Sequence, residues 1–426
     1  MSAPAATTAH PTAPRSAETA GGTFVSPFQR LATLLEGRAP GRPPIVMVVG
    51  EPRHPVPDFV GPALQREIAG FGRYPAIRGT DAFRETVAGW LGRRYGLDGR
   101  IDPATMILPL NGSREGLFFA ALEARMSSAK AVANPAILIP NPFYQAYAAG
   151  CVAAGCEPVM VPATAETGFL PDPAALDADL LARTVAMFFA SPANPQGAVV
   201  SRAGWLDLIA LARRHDFMLL ADECYSEIYR SVPPAGVLEA AATTAEGFDR
   251  VVAFNSLSKR SNLPGLRCGF AAGDPAFLAR WTRFRNMAAP QVPEPVQAVA
   301  VAAFSDEAHV EANRRLYNAK YAAAERILGP VFGPVTPEGG FFLWLDVTGL
   351  AEDGFDAGEA ATLRLWREGG VRVVPGSYLA APGRDGTNPG ADFLRVALVD
   401  DLPATEDGLS RIADILHPAL RGRTRA

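Results

Sequence analysis

Ser256-Leu257-Ser258-Lys259-Arg260-Ser261-Asn262-Leu263-Pro264-Gly265-Leu266-Arg267 follows the apolar run Val251-Val252-Ala253-Phe254. The run reads as a buried strand, so the polar stretch begins at a strand's carboxyl end. The chain has three lysines, Lys130, Lys259 and Lys320, and arginine carries nearly all the remaining positive charge. An ammonium can shed its proton and act as a nucleophile; a guanidinium cannot. The hydroxyls of Ser256 and Ser258 and the guanidinium of Arg267 surround Lys259 in sequence. That grouping suits an amine that forms a Schiff base beside a phosphate site.

Ahead of this stretch, apolar runs at 106–110, 136–139, 157–161, 185–190 and 217–221 alternate with helical patterns. Helices are expected at 81–94, after Asn111-Gly112-Ser113, at 143–154 and at 203–215. A further strand is expected at 267–272. Strands apolar on both faces and separated by helices predict an α/β fold with a mostly parallel, seven-stranded sheet. In such sheets ligands bind outside the carboxyl ends of the strands. Beyond Pro290, Pro293 and Pro295 the pattern changes. One long helix is expected over 296–328, strands at 339–345, 371–374 and 393–398, and a helix near 357–369. These read as a smaller α+β domain, joined by a helix at 28–35 and a strand at 45–49. The expected division is a disordered tail at 1–22, a small domain from 23–60 and 296–426, and a large domain from 61–295.

Composition narrows the class. At 426 residues, with 48% hydrophobic and 20% charged content, the chain can build two domains with a sizeable core. A net charge of −4 and no long basic run argue against a nucleic-acid binder. No apolar stretch reaches the length of a membrane span. Residues 1–22, rich in Ala, Thr, Pro and Gly, lack the apolar block of a secretory signal. Cys151, Cys156, Cys224 and Cys268 form no CxxC pair and read as reduced thiols of a cytoplasmic protein. The five histidines show no metal-ligand spacing, so no metal is expected.

The strand ends hold the informative turns. Asn111-Gly112-Ser113-Arg114 opens a helix, and free backbone N–H groups there attract an anion. Asn141-Pro142-Phe143-Tyr144-Gln145-Ala146-Tyr147 offers an aromatic ring for stacking. Ser191-Pro192-Ala193-Asn194-Pro195-Gln196-Gly197 holds an amide in a constrained turn. Ala221-Asp222-Glu223-Cys224-Tyr225 sets carboxylates at a buried strand end, where a cationic partner is required.

With Asn-Pro-x-Gly at 194–197, Asp-x-x-Tyr at 222–225, Ser-x-Ser-Lys at 256–259 and an arginine eight residues past the lysine, the chain from about residue 24 resembles the class I and II aminotransferases. The resemblance implies the fold-type I architecture and pyridoxal 5′-phosphate as cofactor. It makes Lys259 the Schiff-base lysine and proton shuttle, and Asp222 the partner of the pyridine nitrogen. Asn194 and Tyr225 then bond the ring oxygen and Tyr144 stacks on the ring. Gly112, Ser113, Ser256, Ser258 and Arg267 hold the phosphate, and Arg114 counts among the cofactor-binding residues. Tyr74 reaches the neighbouring subunit's phosphate, which implies a homodimer with shared sites. Arg395 grips the substrate α-carboxylate, and Gly50 approaches it. Gln196 and Arg78 depart from the usual pattern.

A closer resemblance is to the succinyldiaminopimelate aminotransferases of proteobacterial lysine biosynthesis, carried by Asp222–Tyr229, Asn111–Glu115, Asn141–Gln145 and Ser256–Asn262. Those enzymes use glutamate and an N-succinylated keto acid, each with a second carboxylate, so a second arginine is expected: Arg285 first, Arg78 after it. The alternatives are a class I aminotransferase for aspartate, aromatic or alanine-type donors, a carbon–sulfur lyase of the same fold, and a pyridoxal-phosphate sensor module of a transcription regulator. The last carries a winged helix ahead of the fold, which residues 1–22 are too short to form.

Overall fold

The computed structural model describes residues 25–383 and 385–421; the tail expected at 1–22 lies outside them. Strand β1 is Ile45–Val46. The next seven are β2 (Ile107–Leu110), β3 (Ala136–Asn141), β4 (Glu157–Pro162), β5 (Thr184–Ala190), β6 (Met218–Asp222), β7 (Val251–Ser256) and β8 (Gly269–Gly273). They form one sheet in the order β2-β8-β7-β6-β5-β3-β4. Pairing is parallel from β7 through β6, β5 and β3 to β4. Only β8 runs against its two neighbours, β2 and β7. The segment between β7 and β8 holds only the short turns Leu257–Arg260 and Pro264–Leu266 and no crossover helix, so the chain returns antiparallel.

Both faces of this sheet are covered. Along β6, Leu219 and Ala221 join one apolar cluster while Met218 and Leu220 join another. Period-two alternation with both sets buried is what a doubly covered sheet requires. The ends of β3, β5, β6 and β7 therefore share one edge. The segments carrying Tyr144, Asn194, Asp222 and Lys259 leave from it.

A second core forms around β9 (Phe342–Asp346), β11 (Val374–Pro375) and β12 (Phe393–Ala397), paired antiparallel in the order β11-β12-β9. Strand β10 (Val371–Arg372) pairs parallel with β1 beside it. Met47, Leu343, Leu345, Val396, Leu409 and Ile412 pack together in this core.

The helix expected as one piece over 296–328 is two, Glu294–Ser305 and Ala308–Phe332. The Asp306 carboxylate interrupts it by accepting from the Ala308 N–H at 3.0 Å and the His309 N–H at 3.4 Å. That local bond competes with continuation of the helix. The break also marks a change of core. Val299, Ala300, Ala303 and Phe304 pack with the large sheet, whereas Tyr317, Tyr321 and Leu328 pack with the small one. The helix expected near 357–369 is α-helical over Ala357–Arg364 and then widens to a π turn at Leu365–Gly369.

Candidate active site

Lys259 sits on a single short helix turn, Leu257–Arg260, directly after β7. Ser256 begins that turn, its Oγ accepting from the Ser258 N–H at 3.1 Å and lying 2.9 Å from the Ser258 hydroxyl. The Lys259 Nζ donates to the Gly50 carbonyl and lies 5.1 Å from the Phe341 ring centroid. Burial is the largest influence on the amine and lowers its pKa to about 8. Gly50 is required by close approach: a Cβ there would fall 2.4 Å from the Phe342 ring.

Around this amine the cleft is lined by Gly50, Ser113, Arg114, Tyr144, Asn194, Asp222, Cys224, Tyr225 and Arg395. The Asp222 Oδ2 accepts from the Tyr147 hydroxyl at 2.6 Å and its Oδ1 from the Cys224 N–H at 3.2 Å. Burial, reinforced by Asp222, pushes the Tyr147 phenol far up, so Tyr147 stays a proton donor. Tyr147 thus joins the site, although its sequence motif alone assigns it no role. Its signal is its place one helical turn past Tyr144, pointing back to the same strand end. The neighbouring acid, Glu223, is buried and structural, accepting from the Val237 N–H at 2.6 Å.

Arg395, on β12, is 5% exposed. It donates to the Val48 carbonyl at 3.0 Å, and its guanidinium lies 4.4 Å from the Phe342 ring centroid. Its Nε has no partner among the described residues, and burial brings its pKa down to about 10. A buried cation with a free donor is poised for an anion. Asn194 likewise has a buried Oδ1 without a partner among the described residues.

At the other end of the site, Gly112 has φ +82° and a Cβ on it would fall 2.3 Å from an Arg267 guanidinium nitrogen. A side chain there would fill the space between the helix start at Ser113 and Arg267. Arg267 itself is held in the left-handed region and donates to the Pro264 carbonyl at 2.8 Å. The Arg114 Nε donates to the Tyr144 hydroxyl.

Three expected residues lie elsewhere in this chain. Arg285 is fully buried on the helix Pro275–Ala288, paired with Glu115. That pairing commits its charge to the helix that begins at Ser113, so it does not line the cleft. Arg78 is exposed and also absent from the cleft lining. Tyr74 is 96% exposed.

The family model for aminotransferase class I and II matches residues 42–401. The chain is a class I and II aminotransferase. A solved aminotransferase from Neisseria meningitidis is 37% identical with a TM-score of 0.84, over 92% of this chain and 98% of that one. The LL-diaminopimelate aminotransferase of Desulforudis audaxviator is 30% identical over 91% of this chain and 95% of its own. A Thermus thermophilus structure described as a probable N-succinyldiaminopimelate aminotransferase is 25% identical with a TM-score of 0.75, covering 92% of this chain and 100% of that one. Aminotransferases of this class are pyridoxal-phosphate enzymes, and the residues of this chain fit that cofactor. A low-pKa amine, a buried amide oxygen without a partner among the described residues and a carboxylate held by a tyrosine line one cleft with Ser113, and the anion cradle at Gly112 and Arg267 adjoins it in the chain.

Proposed function

We propose that this aminotransferase acts on N-succinyl-LL-diaminopimelate with 2-oxoglutarate as amino acceptor. The observation that carries this reading is the pair of guanidiniums, Arg395 and Arg114, in the cleft around Lys259. Arg395 is buried and suits an α-carboxylate. Arg114 is exposed, and its terminal nitrogens make no hydrogen bond among the described residues. In this reading Arg114 serves the substrate and not the cofactor, and replaces Arg285 as the group for a second carboxylate, whether of glutamate or of the longer substrate.

Pyridoxal phosphate, when bound, supplies an electron-withdrawing ring and the carbon that carries nitrogen between half-reactions. In this reading, Asp222, oriented by Tyr147, faces the cationic ring nitrogen. Asn194 and Tyr225 bond the ring oxygen, and Tyr144 covers the ring face. The helix start at Gly112–Ser113, Ser256, Ser258 and Arg267 take the phosphate. Lys259, neutral in an appreciable fraction near pH 8, takes the proton from the substrate carbon and returns it. Tyr74, exposed in one chain, completes the phosphate site of a second copy. The small domain over the cleft comprises residues 25–60 and 306–421, leaving the helix Glu294–Ser305 with the large sheet.

A second reading, free LL-diaminopimelate as donor, is favoured by the names of two relatives at 30 and 31% identity. Glutamate formation from 2-oxoglutarate, measured with each donor, separates the two. Faster turnover of the succinylated donor is expected, the reverse order establishes the second reading, and turnover of neither removes both. Arg114→Ala should raise KM for the dicarboxylate donor roughly tenfold, the worth of one charge-assisted hydrogen bond, and leave that for alanine unchanged.

A further inference from the structure

The helix Ala308–Phe332 turns a row of polar side chains toward the segment that carries Lys259. Asn313, 4% exposed, donates from Nδ2 to the carbonyls of Lys259 at 3.2 Å and Arg260 at 3.4 Å. Its Oδ1 lies 2.6 Å from the Nδ1 of His54. The Nε2 of His54 lies 2.7 Å from the Nζ of Lys320, which is 2% exposed and also donates to the Leu398 carbonyl at 3.2 Å.

The direction of every bond in this chain is fixed from both ends. An ammonium only donates, so the His54 Nε2 accepts and the proton sits on Nδ1. Backbone carbonyls only accept, so Asn313 turns its NH₂ to Lys259 and its oxygen to His54. The two ends agree on one imidazole tautomer and one amide orientation. The path also closes on itself. The Lys259 Nζ donates to the Gly50 carbonyl, and Gly50 and His54 lie on the same loop. Lys259 is thus held at its backbone and at its amine by a single circuit.

We infer that His54, Asn313 and Lys320 are positioning residues for Lys259, coupling the loop over the cleft to the helix turn that presents the amine. The inference rests on the reading of Lys259 as the reactive amine.

Neighbouring groups support this role. The His54 ring lies 4.6 Å from that of Tyr317, which stacks on Phe341 at 5.4 Å. One turn away, Ser261, His309 and Asp306 stand in the bonding order of a nucleophilic triad, at 2.9 and 2.8 Å. Ser261 has no exposed surface, so no substrate can meet it, and the trio braces the same segment. Arg260 adds an ion pair with Glu307.

The circuit has a pH sense. The charges facing it are Lys320, the Arg53–Asp400 pair and Asp401. Burial lowers the Lys320 pKa to about 8. Losing that proton leaves two N–H donors, enough for His54 and the Leu398 carbonyl. A proton gained by His54 instead removes the acceptor at Nε2 and sets two cations together. Burial places that event below the ordinary histidine value, so the circuit opens on the acid side.

The test uses the holoenzyme with His54→Phe, which keeps the ring against Tyr317, and Asn313→Asp, which keeps the acceptor for His54 but loses both donors to the carbonyls. The visible absorbance of the bound cofactor against pH reports the Lys259 nitrogen; kcat, KM and thermal unfolding are measured beside it. Each variant should lower kcat about fivefold, the worth of one or two hydrogen bonds, with KM nearly unchanged and the absorbance midpoint displaced. Lys320→Arg should retain most of kcat and Lys320→Met should not. In His54→Phe the acid limb of kcat should lose its histidine step. Wild-type kcat and midpoint in a folded His54→Phe and a folded Lys320→Met would overturn the inference. Borohydride reduction and peptide mapping of the wild type tests the underlying reading separately: cofactor trapped on another lysine defeats that reading.

Discussion

At the residue scale, Lys259 draws its chemistry from burial. A lysine in water is almost wholly charged at neutral pH, whereas this one, with a pKa of about 8, keeps a usable neutral fraction. The apoprotein should therefore capture pyridoxal phosphate at a rate that climbs about tenfold per unit as pH rises towards 8, then levels off above it. Stopped-flow mixing across pH 6.5–9.5 reads this directly; a pH-independent rate would mean the amine is not the titrating group. Lys259, Asp222, Asn194 and Tyr225 stand in short motifs at strand ends and are legible there, whereas Arg395, in the middle of β12, is pointed to only by the family resemblance. The place of Arg285 was not legible, since sequence gives no sight of a buried partner. Its charge is spent on Glu115, and only the packing of two helices discloses that. Tyr147 escaped for a related reason: a tyrosine one turn from a stacking residue reads as core until its hydroxyl is seen 2.6 Å from Asp222.

At the element scale, hydrophobic runs predicted the seven-stranded sheet because its strands are buried on both faces and lie between turn signals. Helix ends were less legible. The run from 294 to 332 keeps a helical pattern throughout, and its break depends on Asp306 preferring its own chain's N–H groups to solvent. Asp306 also accepts from the His309 Nδ1 at 2.8 Å. Asp306→Ala should cost about 1–2 kcal/mol in denaturant unfolding, the range of a lost helix-start bond. The Asp306 pKa is lowered despite its partial burial, with His309 and two backbone N–H groups as the favourable partners. The stability it contributes is therefore present above the ordinary aspartate pKa and fades as pH falls through the folded value. The wild-type and alanine proteins should converge in strongly acid solution; a difference that persists there would assign the loss to packing instead.

At the scale of the whole molecule, the cleft lies where two cores meet: the edge of the seven-stranded sheet brings Asp222, Asn194 and Lys259, and the small sheet brings Arg395. Gly50, from the amino-terminal loop, touches the amine itself. One expected contributor, Tyr74, does not line its own chain's cleft, and Ile68 and Phe71 are exposed close by in sequence. A tyrosine 96% exposed beside exposed apolar residues suits a surface that a second copy covers. If Tyr74 serves the partner's site, two crippled chains can repair each other. Lys259→Ala and Tyr74→Ala homodimers are each expected to be poor enzymes. In a hybrid, the chain that lacks the lysine also receives no tyrosine from its neighbour, so its cleft is lost twice over. The other cleft keeps Lys259 and receives an intact Tyr74. Random exchange makes about half the dimers hybrid, each with one good site of two, so activity should recover to about a quarter of the wild type. Refolding the two variants together and assaying transamination measures this. Activity no higher than the mean of the two parents would place Tyr74 in its own chain's site or in none.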